Sequence, residues 1–143
     1  MQCEQEVAER LAEIEACCYV LDVGQNTSIE ELGDRFVPFL DVLREGRPEI
    51  QLLATTPIFY NAELWSTNHQ KGVNEKRRII SSAVTERKAG GYQSVYLLDA
   101  SDYLWSDFTD GAVDGGHLND LGFARMAERL GPVLAKILGI GEG

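Results

Sequence analysis

Three short, nearly continuous apolar runs punctuate the chain: Cys18–Val23 (CYVLDV), Ile50–Thr55 (IQLLAT) and Ser94–Asp99 (SVYLLD). Runs of this length read as strands covered on both faces, the kind found in parallel sheets. Parallel neighbours must be joined by a crossover long enough to hold a helix, and the intervening stretches have that character. Val7, Leu11 and Ile14 place a helix over residues 4–16. Ser28-Ile-Glu-Glu31 forms a capping box ahead of Leu32, Phe36, Phe39, Leu40 and Leu43. Val73, Ile80 and Val84 mark a third helix over 70–88, ended by Gly90-Gly91. Phe123, Met126, Leu130, Leu134 and Ile137 share one face of a last helix that starts near Asn119. Pro38 and Pro132 predict kinks or breaks in the second and fourth helices. The order α-β-α-β-α-β-α with right-handed crossovers predicts one α/β domain over residues 1–143.

Charge narrows the partners. The chain carries 13 basic and 23 acidic residues, a net charge of −10, which disfavours nucleic acid and anionic membrane surfaces. No apolar run approaches the ~18 residues that a membrane span needs. The polar start (MQCEQEVAER) is no signal peptide and leaves cytoplasmic and exported locations both open. Cys3, Cys17 and Cys18 show no metal-ligand spacing and read as reduced thiols. No metal or cofactor is expected.

In a parallel α/β sheet, ligands bind beyond the carboxyl ends of the strands. Three loops lie there: Gly24–Thr27, Pro57–His69 and Ala100–His117. The first carries Asn26 after a glycine turn, and the last carries Asp114-Gly-Gly-His117 just before a helix. A carboxylate three residues before an imidazole can bond its Nδ1–H, fix the tautomer and leave the other nitrogen free as a general base. Asp, Asn and Gly also crowd loops for turn reasons alone, so these residues by themselves leave both readings open.

Other features have plainer readings. His69 reads as a surface residue. Asp102, Asp107, Asp110 and Asp114 could suggest calcium, but without EF-hand spacing they read as a solvated acidic face. Lys76, Arg77 and Arg78 read as a solvated helix face. Phe59, Tyr60 and Trp65 could line an acyl or sugar pocket or simply cover the sheet end.

Two segments together resemble the SGNH (GDSL-like) hydrolases: Tyr19-Val-Leu-Asp-Val-Gly24-Gln-Asn26, and Asp114-Gly-Gly-His-Leu-Asn-Asp-Leu-Gly-Phe-Ala-Arg-Met-Ala-Glu128. The resemblance spans about Val7 to Leu138. It implies a flavodoxin-like three-layer α/β/α fold and metal-free cleavage of carboxylic esters of lipids, sugars or small acyl compounds. It also implies that Asn26 is an oxyanion donor on a turn shaped by Gly24, that His117 is the general base and that Asp114 orients it.

The departures are as informative. That family's nucleophile lies in a Gly-Asp-Ser block after its first strand, with a second oxyanion glycine following, and both would fall before Met1. No serine of this chain has that setting. Ser101 and Ser106 are the only ones near the expected site, and Leu118 replaces a common proline.

The family's strand order, 2-1-3-4-5, leaves three strands here and the Tyr19–Val23 edge without its usual neighbour. That edge is expected to pair with a second copy, with an upstream segment on another chain, or by rearrangement. Two functions follow: the C-terminal portion of a serine ester hydrolase, acting with a serine from elsewhere, or a non-catalytic α/β assembly module.

Overall fold

The computed structural model describes residues 2–102 and 106–141, without the side chains of 106–108. Four helices and three strands follow in the expected order: α1 (Gln5–Ala12), β1 (Cys18–Asp22), α2 (Ile29–Gly46), β2 (Gln51–Thr55), α3 (Thr67–Ala89), β3 (Val95–Leu98) and α4 (Asp120–Leu138). Short 3-10 turns occupy Asn61–Leu64 and Ser106–Gly111. The sheet is parallel throughout, ordered β1-β2-β3, with Tyr19 opposite Leu52 and Leu52 opposite Val95.

Because the strands are laid down in spatial order, right-handed crossovers send α2 and α3 to the same face. There α1 packs on α2 and α2 on α3. Tyr19, Leu21, Val23, Leu52, Ala54 and Val95 from the sheet meet Leu32, Phe36, Phe39, Leu40, Leu43, Ile80 and Val84 from the helices.

The other face is covered unevenly: Leu53 of β2 is buried there, but β1 is not shielded. In β1 burial alternates, and Val20 is 38% exposed while Leu21 beside it is 1% exposed. The reading of Cys18–Val23 as a strand covered on both faces is therefore wrong, because the helices shield only one side of it. Among the described residues β1 pairs with β2 alone, so rearrangement within the chain does not close its outer edge.

Helix boundaries differ from expectation for identifiable reasons. α1 stops at Ala12 because side chains take its last carbonyls: Arg47 donates to Ala12 and Glu13, and the Tyr19 hydroxyl lies 2.7 Å from the carbonyls of Leu11 and Ile14. α3 begins early, capped by Ser66, whose hydroxyl accepts from the His69 N–H, so His69 lies in a first helical turn rather than a loop. Pro38 and Pro132 break neither α2 nor α4. Both prolines and the residues four before them, Asp34 and Glu128, are exposed, so water can satisfy the carbonyls that proline leaves unbonded. The Ser28 capping box forms as expected, with both reciprocal bonds present.

No helix among the described residues is long and apolar enough to cross a membrane. The three cysteines are free, and burial pushes the Cys3 thiol up to about 11, which leaves it unreactive.

Candidate active site

The segment between β3 and α4 ends in a tight loop. Ala112 and Leu118 form an antiparallel bridge, and the Val113 N–H donates to the His117 carbonyl at 2.8 Å. Gly115 takes φ +89°, which lets the chain reverse between Asp114 and His117. Asp114 organises the loop from within. Its Oδ1 accepts from the backbone N–H of Gly116 (3.1 Å) and of His117 (2.9 Å), and its Oδ2 lies 2.7 Å from His117 Nδ1.

These contacts hold the Asp114 carboxyl down to about 2, first through the His117 N–H, then through the His117 ring and the Gly116 N–H. A carboxylate ionised at neutral pH can only accept, so the proton between them sits on Nδ1, and in the neutral ring Nε2 carries the lone pair. The pair is open to solvent, with side-chain exposures of 86% for His117 and 55% for Asp114.

The sign of the acid dependence follows. A carboxyl whose folded pKa is depressed contributes fully above the ordinary carboxylate range, and the contribution fades as pH falls towards the folded value. Following the Asp114 carboxyl carbon by NMR is expected to give a midpoint of about 2, against ~3.9 for a free aspartate. In His117→Ala the midpoint should rise but stay depressed, because both backbone donors remain.

The residues after His117 have structural duties. Asn119 caps α4: its Oδ1 accepts from the Gly122 N–H at 3.0 Å, and its Nδ2 donates to the Asp110 carbonyl at 2.7 Å. A Cβ on Gly122 would collide with the Gly111 carbonyl oxygen, a backbone atom that cannot swing aside. Gly122→Ala is therefore expected to cost about 1–3 kcal/mol by overpacking. Gly131→Ala on the same helix meets nothing within 4 Å, and should stabilise by about 0.5–1 kcal/mol. Urea unfolding of the two variants checks the contrast.

Asn26 comes from the turn after β1. Gly24 turns the chain there at φ +94°, and a Cβ would press Pro57 Cγ at 3.1 Å. Gln25 donates to Asp22 Oδ1 at 2.6 Å, and Thr55 donates to the same oxygen at 3.2 Å. Asn26, Asp22 and Gln25 line a cleft of about 440 Å³, and its other walls include Ile58, Tyr60, His117, Phe123 and Met126. The loops that were expected to meet beyond the strand ends thus place Asn26 and His117 on one cleft.

Beside it, a shallower groove of about 280 Å³ is lined by Tyr60, Asn61, Trp65, His69, Asp114 and His117, among others. No serine lines either of these two cavities among the described residues. The Ser106 and Asp107 side chains lie outside those residues.

The loop after β2 was the least legible part. Arg77 is not on a solvated face: its guanidinium is 14% exposed and clamps Glu63, which is 4% exposed, through bonds of 2.7 and 2.9 Å. It also donates to the carbonyls of Pro57 and Ile58 and to Asn74. The clamp fixes the loop that seats Tyr60 against Gly116 and lets the Asn61 N–H donate to the Gly115 carbonyl at 2.9 Å. His69 packs edge-on against Tyr60, with ring centres 5.5 Å apart. In the acidic loop, Asp102 pairs with Arg129 and Asp110 with Arg125. Among the described residues no group of three or more potential ligands could hold a metal ion.

Comparison with known proteins bears on this geometry. No curated protein matches the chain. A GDSL-like lipase from Bacteroides ovatus is 31% identical, with a TM-score of 0.90, over 98% of this chain and 41% of that one. A carbohydrate esterase of family 3 from Talaromyces cellulolyticus shares the fold at 17% identity and TM-score 0.76, over 96% of this chain and 66% of that one. A family two carbohydrate esterase from Clostridium thermocellum, solved with cellohexaose, does so at 18% identity and TM-score 0.69, over 90% and 38%. This chain thus spans less than half of the Bacteroides protein. The description GDSL-like Lipase/Acylhydrolase family matches residues 1–135. With that match running through all three strands and into the last helix, the chain belongs to the GDSL-like lipase/acylhydrolase family.

Proposed function

We propose that this chain supplies the general base and one oxyanion donor of a serine ester hydrolase, with the nucleophilic serine carried by a strand that pairs with the outer edge of β1. The observation that carries the reading is the 2.7 Å contact between Asp114 Oδ2 and His117 Nδ1, at a cleft shared with Asn26. In the proposed reaction His117 Nε2 takes the serine proton as Oγ bonds to the ester carbonyl carbon. The Asn26 amide donates to the resulting oxyanion. Collapse breaks the bond to the alcohol, which leaves with the proton from His117, and water then releases the acid by the same steps in reverse order. The substrate is a small-molecule or carbohydrate acyl ester, and no cofactor takes part.

Support for the outside strand comes from what is left uncovered. The pair is largely in solvent, β1 pairs on one side only among the described residues, and Val20 and Phe123 are 38% and 58% exposed. A hydrolase gains from excluding water around its charged groups, and an apolar edge strand invites pairing. That no serine among the described residues lines either cavity favours a second reading, a non-catalytic assembly module using the same edge.

A fluorophosphonate serine probe with intact-mass readout separates the two. The chain alone should take no label. When it is co-expressed with a Gly-Asp-Ser-bearing βα segment from a family member, the serine of that segment should be labelled, and His117→Ala should abolish the label. An adduct on the chain alone that is lost in His117→Ala would place the nucleophile in this chain and overturn the division of labour. A soluble assembled pair that takes no label would favour the module. Sedimentation of the chain alone should show association through β1, and a monomer with that edge bare contradicts the edge assignment.

A further inference from the structure

The two cavities share Tyr60, Gly116 and His117, so the imidazole stands between them, yet their walls differ in chemistry. On the Asn26 side the walls include Ile58, Leu118, Phe123 and Met126. On the other side stand Trp65, His69, Asn61 and Asp114. Trp65 is 73% exposed, the most exposed large apolar side chain among the described residues. It is held between the 3-10 turn and α3, with its backbone N–H donating to the Ala62 carbonyl at 3.3 Å.

We infer that this groove is a subsite for a neutral sugar ring, the alcohol half of the ester, stacked on Trp65. The inference rests on reading Asp114 and His117 as the base pair, because that reading puts the two halves of an ester on opposite sides of the imidazole.

The chemistry of the walls excludes the alternatives. An aliphatic chain in this groove would strip water from the Asp114 carboxylate, 55% exposed, and add no bond to those it takes from Gly116 and His117, which is costly. An anionic head group would meet Asp114 and the −10 charge of the chain. A polyhydroxylated ring satisfies both demands: its C–H face covers the indole, and its hydroxyls donate and accept at the polar rim.

The chain contains two tryptophans, Trp65 and Trp105, and two histidines, His69 and His117, so their ring resonances are few enough to follow individually by NMR. Titration of the chain with xylotetraose is expected to shift the Trp65 indole N–H and the His69 and His117 ring signals in a saturable way. Trp65→Ala should weaken binding by about tenfold or more, and Trp65→Phe by less, since a smaller aromatic face remains. No shift with either xylotetraose or cellotetraose would overturn the inference. Shifts with decanoate in place of the saccharides would also overturn it, by making the groove an acyl site.

The binding measurement needs no nucleophile, so it fails or succeeds separately from the hydrolase reading. Fluorophosphonate labelling of the assembled pair without saccharide shifts leaves the base pair standing and removes the sugar subsite. Saccharide shifts without labelling keep the subsite and remove the hydrolase.

Discussion

Replacing Arg77 with alanine is expected to destabilise the chain by about 3–5 kcal/mol, the usual cost of stranding one partner of a buried ion pair. Five hydrogen bonds engage its guanidinium: two to Glu63 and one each to Pro57, Ile58 and Asn74. Without it, the Glu63 carboxylate keeps only the Tyr60 N–H at 2.8 Å, in a site 4% exposed. The loss is large against the roughly 5–15 kcal/mol that holds a domain together.

Arg77→Lys keeps the charge but cannot form the planar fork, and should recover only part of the loss. The double variant Arg77→Met with Glu63→Leu should be less harmful than Arg77→Ala, because no charge is left buried. It still leaves the Pro57 and Ile58 carbonyls unbonded, at about 1–3 kcal/mol each. Urea midpoints at constant slope give the comparison. The effect should also reach the site, since the clamped loop seats Tyr60 and Asn61 on Gly116 and Gly115.

The second large effect is on chemistry, with stability almost untouched. In the proposed assembly with a serine-bearing segment, His117→Ala is expected to lower kcat by about 10⁴–10⁶-fold, the size of effect that loss of a general base has in serine hydrolases. The side chain is 86% exposed, so unfolding should move by no more than about 0.5 kcal/mol. Asp114→Asn should cost about 10⁴-fold by presenting the wrong tautomer. The amide oxygen can still accept the N–H groups of Gly116 and His117 while the amide NH2 donates to Nδ1, so this variant reverses the ring contact and keeps the loop. Loss of activity together with loss of folding in either variant would show that these residues serve the loop rather than the reaction.

The contrast between these two sites explains what the sequence reveals. Asp114 and His117 are three residues apart in one loop, so the contact that joins them is local and their order alone suggests it. Asn119 and Gly122 are equally local, and the structure supplies their reasons as a helix cap and a close backbone approach.

Arg77 is different. Its partner Glu63 lies 14 residues earlier in a segment with no apolar period, and beside Lys76 and Arg78 it looks like one more surface cation. His69 sits in a polar stretch whose composition conceals both the Ser66 cap and the packing on Tyr60. The strands were legible because apolar runs bounded by Gly24 and Pro57 admit few alternatives. The half-open face of β1 was not, because the composition of a strand does not show whether a second layer covers it. The break that Pro38 and Pro132 allowed is absent for a related reason, since whether a proline ends a helix depends on whether the carbonyl that it frees can reach water.

The state of the His117 ring in the native chain tests the central claim most directly. Nitrogen-15 NMR of the two imidazoles, followed to a pH at which both rings are neutral, should find His117 with its proton on Nδ1, strongly deshielded by Asp114, and with Nε2 unprotonated. Asp114→Asn should remove that signature and leave His69 unchanged. A His117 ring that carries its proton on Nε2, or that averages freely between tautomers, would mean that the chain holds no preformed base, and the hydrolase reading would fall with it.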